Sequence, residues 1–383
     1  MKIFVFVTRY PNDSNCQANI FAHEQCLMLQ RFGHNVIVLE ERIEIPSAWN
    51  HCNFNEIKLR EWEGVQVYTH HVRGIATTKL LSINQRIYIK GMKKVYKTVV
   101  QDHGIPDVIY AHFAAKAGVA ACMIGPTEGI PVVIIEHGGL VMENSHHNYL
   151  RKWLKFTVNN SKTFICVSNT QKKCVENYTG VKKNIIVIPN MVDSSFAYKK
   201  LEPNGKFLFF SAGNLNKTKR MDLLIKAFNK AFTHNEPVGL RIAGDGKERG
   251  YLETLAASGN HKENIFFLGR LDKEHMINEY TKSSAFVLAS CHESFGIAYR
   301  EALCIGRPVI STDNGGIRDG WNDSFGIIVN VDDLEGLAQA LYKVYTNYKS
   351  FDLKKISDMC LQYTNPDIVM RKIENILMSC VNL

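Results

Sequence analysis

Two successive series of short apolar runs, each run followed by a stretch with helical spacing, constrain this chain more than any other feature. In the first series residues 2–7, 35–39, 107–110, 131–135, 163–167 and 185–188 read as strands, with helices near 19–32, 82–102, 116–124, 148–160 and 169–178. In the second, strands near 206–210, 238–243, 265–268, 285–289, 308–311 and 326–329 alternate with helices near 220–232, 247–257, 272–281, 296–304 and 333–346, and 351–381 reads as helix alone. Continuous apolar runs of this length suit strands buried on both faces, and strand–helix alternation implies a parallel sheet wound on both sides by helices. The pattern breaks at Pro189-Asn190 and at a turn-rich 202–205. The expected architecture is therefore α/β, with doubly wound domains at 1–195 and 206–360, a linker at 196–205, and a helical segment at 361–383 packing back on the first domain. Residues 56–70, with strand-like pieces either side of Glu63-Gly64, read as an antiparallel addition at a sheet edge. Gly33 suits a helix C-terminal cap, and Ser168 with Gln171 and Asp332 with Glu335 suit capping boxes.

The net charge of +9 is unevenly placed. Residues 1–200 hold 24 Lys+Arg against 15 Asp+Glu, whereas the remainder balances at 22 to 22. Between 79 and 97 lie Lys79, Arg86, Lys90, Lys93, Lys94 and Lys97 with no acid, interleaved with Leu80, Leu81, Ile83, Ile87, Ile89 and Met92. That pattern fits either a solvated helix face or a basic amphipathic helix on an anionic membrane surface. No nucleic-acid reader motif accompanies the charge, so nucleic acid is not expected as a partner. The first apolar run is too short for a signal peptide, and no run reaches the ~18 residues of a membrane span. Ten cysteines without a C-x-x-C pair point to reduced thiols in a cytosol rather than a disulfide frame or zinc site.

The residues that carry chemistry cluster after predicted strands. The run 292–312 joins Glu293 to Glu301 through a turn and a helix, which sets the two acids about 12 Å apart at 1.5 Å per residue. Glu293 follows a strand, at the sheet edge where open α/β folds bind ligands, although an acid at a helix start also serves the helix dipole. Glu301 alone would read as a surface residue. The loop Gly213-Asn214, trailed by Lys217, Lys219 and Arg220 before a helix, suits a diphosphate as well as it suits an ordinary turn. Residues 243–250, around Gly244 and Gly246, fail the dinucleotide fingerprint because the third glycine is one place late, and read as a tight turn. His112 and His137 each close a first-domain strand, in a structural or a functional role. His146 and His147 read as solvent-facing, and no ligand set or Asp-x-Asp motif argues for a metal.

In this combination and order the chain resembles glycosyltransferase family 4, the retaining nucleotide-sugar transferases of GT-B fold. The resemblance rests on the E-x7-E element with its A-L-C-x-G-x-P-V continuation, the Gly213 loop with Lys219, the 243–246 turn, 267–269, Tyr10-Pro11, Gly33-His34, 111–113, 136–138, 167–168 and Pro189-Asn190 with Asp193. It implies that Glu293 contacts the donor sugar, Glu301 the ribose, and Lys219 the diphosphate, with the N–H groups of Phe295, Gly296 and Ile297 turned to phosphate or sugar oxygens. It further implies base recognition near Gly269, Arg270 and Leu271, His137 beside the donor sugar, and His112 on the acceptor side. Two departures stand out. Asn214 replaces a common loop arginine, which leaves Arg220 or Lys217 to supply the second cation. The loop 12–19 lacks the glycines often found there.

The reading is a metal-independent enzyme without cofactor that moves a hexose or hexosamine from a UDP- or GDP-linked sugar to a glycan or lipid-linked acceptor. Bacterial surface polysaccharide synthesis on the inner face of the plasma membrane is the expected setting. A sugar-nucleotide epimerase of the same fold and a non-catalytic nucleotide-sugar-binding protein remain as alternatives, and a phosphorylase is disfavoured because no pyridoxal lysine site is apparent.

Overall fold

A computed structural model describes residues 1–13, 15–16, 18–75, 81–138, 148–182, 184–201, 205–233 and 236–381. Lys79, Leu80, His146, His147 and residues 202–204 of the expected linker lie outside the described residues. The chain divides into two units, Met1–Met191 with Asp367–Leu383, and Val192–Pro366.

The first unit carries strands β1 (Lys2–Val7), β2 (Asn35–Glu44), β3 (Ile57–Trp62), β4 (Val65–Arg73), β5 (Val108–His112), β6 (Val132–Glu136), β7 (Thr163–Cys166) and β8 (Ile185–Val187). Their order is β3-β4-β2-β1-β5-β6-β7-β8, parallel except for β3 against β4. Helices α1 (Ile20–Arg31), α2 (Leu81–His103), α3 (Val119–Ile124), α4 (Asn148–Asn160) and α5 (Asn169–Thr179) cover it. The edge hairpin turns at Glu63 and Gly64, both at positive φ, so only β3 is the antiparallel addition and β4 joins β2 in parallel. Strand β2 runs five residues beyond the expected 35–39, because Glu40 and Glu41 interrupt the apolar pattern yet are buried. Glu40 is fully satisfied there, accepting from Tyr10 N–H at 2.7 Å, Thr69 Oγ1 at 2.7 Å and the guanidinium groups of Arg42 and Arg60 at 2.6 and 3.1 Å. Where a helix was expected from 116, the backbone makes a wide turn at Ala114–Gly118 with Lys116 at φ 53°, and α3 begins only at Val119.

Helix α2 places Tyr88, Met92, Val95, Tyr96 and Val99 in the core of this unit, while Arg86, Lys90, Lys93, Lys94 and Lys97 are exposed. Most of its apolar face is thus taken up by the sheet. No helix among the described residues is long and apolar enough to cross a membrane.

The second unit holds β9 (Phe207–Ala212), β10 (Val238–Ala243), β11 (Ile265–Gly269), β12 (Ala285–Leu288), β13 (Val309–Thr312) and β14 (Gly326–Val329), all parallel, in the order β11-β10-β9-β12-β13-β14. Its helices are α6 (Met221–Ala231), α7 (Arg249–Ala257), α8 (Lys273–Lys282), α9 (Ile297–Ile305), α10 (Leu334–Thr346) and α11 (Leu353–Thr364). This is the doubly wound order whose direction reverses between β9 and β12, the point at which such sheets open a crevice for ligand.

The last helix, α12 (Pro366–Val381), belongs almost wholly to the first unit. There Glu374 accepts from His34 Nε2 at 2.8 Å, and Arg371 lies over Phe32 at 3.8 Å. Local signals hold at two of the three caps. Ser168 accepts from Gln171 N–H while Gln171 accepts from Val167 N–H, and Gly33 sits at φ 87° past α1. The third cap is Asp333, not Asp332: Asp333 accepts from Gly336 N–H at 2.8 Å, whereas Asp332 adopts φ 62° and turns its carboxylate to Arg220.

Candidate active site

The reversal between β9 and β12 brings two loops together. After β9 the chain passes Gly213 and Asn214 into a short turn, Lys217–Lys219, capped by the Asn216 side chain on Lys219 N–H at 3.1 Å. After β12 it passes Cys291, whose N–H donates to Thr218 O at 2.8 Å, to Glu293. Lys219 Nζ then lies 2.5 Å from Glu293 Oε1, with both side chains mostly buried. The Lys219 stem packs against Gly213, where a Cβ would stand 3.4 Å from its Cδ and Cε.

Glycines make the surrounding loops fit. Gly244, at φ 127°, donates to Gly269 O at 2.7 Å, and any side chain there would run into the Gly213 carbonyl. The expected tight turn is therefore a close contact between the loops after β9, β10 and β11. Arg270 is exposed and Leu271 packs on the core beside it. Asn214 and Lys217 are exposed. Arg220, at φ 48° before α6, is already held by Asp222 at 3.1 Å and by Asp332, whereas Lys217 forms no ion pair among the described residues.

Glu293 is fixed by its backbone, since its N–H donates to Asn314 O at 3.0 Å and its carbonyl accepts from Gly316 N–H at 3.0 Å. A side chain at Gly316 would press on Glu293 and Phe295. Helix α9 starts just beyond, at Gly296 in the left-handed region, without a side-chain cap. The N–H groups of Phe295, Gly296 and Ile297 have no partner among the described residues, so this helix start is ready for an anion. Glu301 Oε2 lies 2.9 Å from the buried Tyr280 hydroxyl, which is also 2.8 Å from Ala298 O and is held protonated by burial.

Two arginines that sequence reasoning missed support this geometry. Arg300 and Arg307 are fully buried. Arg300 lies against the rings of Phe295, Tyr299 and Tyr363, and its Nη2 reaches the carbonyls of Gly316, Ile317 and Asp319. It thereby braces the turn that clamps Glu293. Arg307 binds the carbonyls of Tyr280 and Thr281 at 2.9 Å and so steadies the tyrosine that meets Glu301.

In the first unit the corresponding sheet edge gathers His112, at the end of β5, and His137, just after β6. Their ring planes are nearly parallel, with His112 Nδ1 3.1 Å from His137 Nε2. Asn190 Oδ1 lies 2.8 Å from His137 Nδ1, so a chain of donors running from His112 Nδ1 through His137 to Asn190 Oδ1 satisfies both nitrogens of His137. His112 Nε2 is left without a partner. Burial, reinforced by the neighbouring ring, pushes His112 well below the usual imidazole range, and burial lowers His137 to about 3. Both are neutral at physiological pH. The Phe21 ring lies 4.2 Å from that of His137, tilted by 37°.

Glu136, the last residue of β6 and the neighbour of His137, is a third residue whose role was missed. It accepts from Ala114 and Gly138 N–H, each at 2.7 Å, and burial raises it to about 7. Beside it opens a cavity of about 270 Å³ lined by Phe113, Lys116, Trp153, Leu154 and Tyr178. Asn19, in the loop expected to lack glycines, itself takes the left-handed conformation and binds Arg9 O at 2.8 Å; residues 14 and 17 of that loop lie outside the described residues.

Among the described residues one trio could hold a metal ion, Glu44, Cys52 and His71, in the first unit.

The description "Glycosyltransferase Family 4" matches residues 18–196 and "Glycosyl transferases group 1" matches 194–356, so that the two run end to end over most of the chain. The chain belongs to glycosyltransferase family 4. The glycosyltransferase is 29% identical over 255 residues to an uncharacterized glycosyltransferase of Methanocaldococcus jannaschii, covering 65% of this chain and 68% of that one. It is 25% identical to TuaC of Bacillus subtilis, named as a candidate glycosyltransferase of teichuronic acid biosynthesis, over 89% of this chain and 88% of that one. The chain spans 62 to 68% of the length of the first curated relatives it matches. The fold is GT-B: a solved structure of Anabaena Alr3699/HepE in complex with UDP-glucose superimposes with a TM-score of 0.72 at 16% identity, covering 99% of this chain and all of the other.

Proposed function

We propose that this glycosyltransferase takes a hexose or hexosamine from a nucleotide-diphosphate sugar, with retention of configuration, and delivers it to a glycan or lipid-linked acceptor of a surface polysaccharide. The observation that carries the reading is the Lys219–Glu293 ion pair at the β9–β12 reversal, beside an uncapped helix start. Departure of a nucleoside diphosphate concentrates negative charge on its oxygens while the anomeric carbon becomes electron-poor. Lys219 and the N–H groups of residues 295–297 meet that charge, and such preorganised donors are the largest single source of rate in reactions of this kind. Glu293 takes the sugar hydroxyls, Glu301 the ribose hydroxyls, and the backbone around Gly269, Arg270 and Leu271 the base. Lys217, free of ion pairs among the described residues, suits the second phosphate contact better than Arg220, which two aspartates already neutralise.

The second unit is the donor domain in this reading and the first the acceptor domain, with His137 facing the sugar and His112 the acceptor. Their neutral state suits hydrogen bonding to hydroxyl groups rather than charge pairing. The apolar cavity beside Glu136 suits an acceptor with an apolar portion. Catalysis without a metal and residence at the cytoplasmic face of the membrane belong to the same proposal. The deciding experiment is thermal stabilisation and donor hydrolysis across UDP, GDP, ADP and their sugars, since a ligand of the native state raises its apparent stability. Stabilisation by one nucleotide, with release of free sugar from its conjugate, supports the reading. Conversion of the conjugate to an epimer with no acceptor present overturns it.

A further inference from the structure

A second cavity, this one charged, lies between β4 and α2 of the first unit, and the reaction above makes no use of it. Its volume is about 940 Å³, and Arg73 and His70 of β4 form one side while Lys90 and Lys94 of α2 form the other. Among the described residues no carboxylate lines it. Three acids stand beside lining residues and each has a partner: Glu41 lies 2.9 Å from His70 Nδ1, Glu44 3.0 Å from His71 Nδ1, and Glu56 3.0 Å from Asn53 Nδ2. Gly91 makes room for the first of these pairs, since any side chain there would overlap the Glu41 carboxylate.

A row of lysines on a helix is ordinarily a solvated face. Here the cations come from two elements that face a common space, and one of the groups at its wall is incomplete. His70 is 3% exposed, and its Nε2 has no hydrogen-bond partner among the described residues. Leaving a buried polar atom unpaired is costly, so such an atom beside a cavity points to a ligand. Arg73 is held over the rings of Trp49 and Phe54 at 5.6 and 5.0 Å, which fixes its guanidinium in place. Three permanent cations with no lining acid call for a ligand that carries more than one negative charge on several oxygens.

We propose that this cavity is a phosphate-binding site, filled by the phosphate of a soluble phosphorylated molecule or by the phosphate headgroup of an anionic lipid, with Arg73, Lys90, Lys94 and His70 as its donors. The test uses the full chain and two probes. Inorganic phosphate is titrated by calorimetry into the wild type, Lys90→Ala/Lys94→Ala, Arg73→Ala and Lys219→Ala, and UDP into the same proteins. Vesicles of phosphatidylcholine with and without phosphatidylglycerol are co-sedimented with each. A phosphate affinity that falls about tenfold in Lys90→Ala/Lys94→Ala and in Arg73→Ala but survives Lys219→Ala supports the proposal with a soluble ligand. Binding only to phosphatidylglycerol vesicles, lost in the same variants, supports it with a lipid headgroup. Both lysines are exposed, so their removal leaves the fold intact. If neither probe responds to Lys90, Lys94 or Arg73, the proposal is overturned, and UDP binding in the double variant reports separately on the donor site.

Discussion

Lys219 Nζ and Glu293 Oε1 stand 2.5 Å apart, and they join the loops that follow the first and fourth strands of the second unit's sheet. Each residue is thereby held in place by the other. Glu293→Gln keeps the shape and loses the charge, and is expected to abolish transfer while UDP or GDP still binds. Glu301→Ala is expected to weaken nucleotide binding roughly tenfold or more, the usual loss for a charged hydrogen-bond partner. Calorimetry with the nucleotide, alongside donor hydrolysis, separates the two effects, and the reverse pattern would remove the division of roles.

Arg300 never reaches solvent, yet its loss should be felt at Glu293. Arg300→Met leaves the carbonyls of Gly316, Ile317 and Asp319 without their donor, and should cost about 3 kcal/mol in urea unfolding. Lysine cannot reproduce the planar contact with three rings and three carbonyls, so Arg300→Lys should rescue little. A variant that unfolds earlier but retains wild-type nucleotide affinity and turnover would show that the bracing does not extend to the site.

Gly244 tests the contact between loops. Gly244→Ala adds a methyl where the Gly213 carbonyl stands and strains a backbone at φ 127°. A loss of about 2 kcal/mol or more is expected, together with weaker nucleotide binding as the Gly213 loop shifts off Lys219. Unchanged binding in a folded variant would place the phosphates elsewhere.

Acid–base behaviour gives an independent check on the first unit. Glu136 titrates near 7 in the folded state because it is buried, against 4.5 for an ordinary carboxyl. A raised carboxyl pKa favours the protonated form of the native protein, so its contribution to stability is complete below about 4.5 and is lost as pH rises through about 7. The stability of Glu136→Gln relative to wild type should therefore climb by about 3 kcal/mol between those limits and stay flat outside them. His137 acts in the opposite direction: lowered to about 3 by burial, it favours the folded state above 6.5 and loses that contribution as pH falls. Urea midpoints measured from pH 4 to 8 for wild type, Glu136→Gln and His137→Asn distinguish the two slopes. A flat difference for Glu136→Gln would mean an ordinary carboxyl.

The sheets were legible because strands buried on both faces are written as unbroken apolar runs, and their helices carry recognisable ends such as Ser168-Gln171 and Gly33. Legibility failed where polar residues are buried with partners far away in sequence. Glu40 and Glu41 hid half of β2, since nothing local signals that Arg60, Thr69 and His70 will meet them. Arg300 carried no local signal for the same reason, because its partners lie 16 to 19 residues on. Of the candidate site, Glu293 could be argued from its place after a strand, but Glu301 by itself read as surface. Its contact with Tyr280, a residue 21 positions earlier, gives it a fixed setting.

The return of α12 to the first unit has a consequence for synthesis. The second unit is contiguous, from Val192 to Pro366, and can fold as soon as it has emerged from the ribosome. The first unit cannot be completed when its own 191 residues are made, because His34 and Phe32 wait for Glu374 and Arg371. A nascent chain stalled anywhere within the second unit therefore carries a sheet of the first unit that still lacks its last helix, the species most exposed to chaperones and proteases.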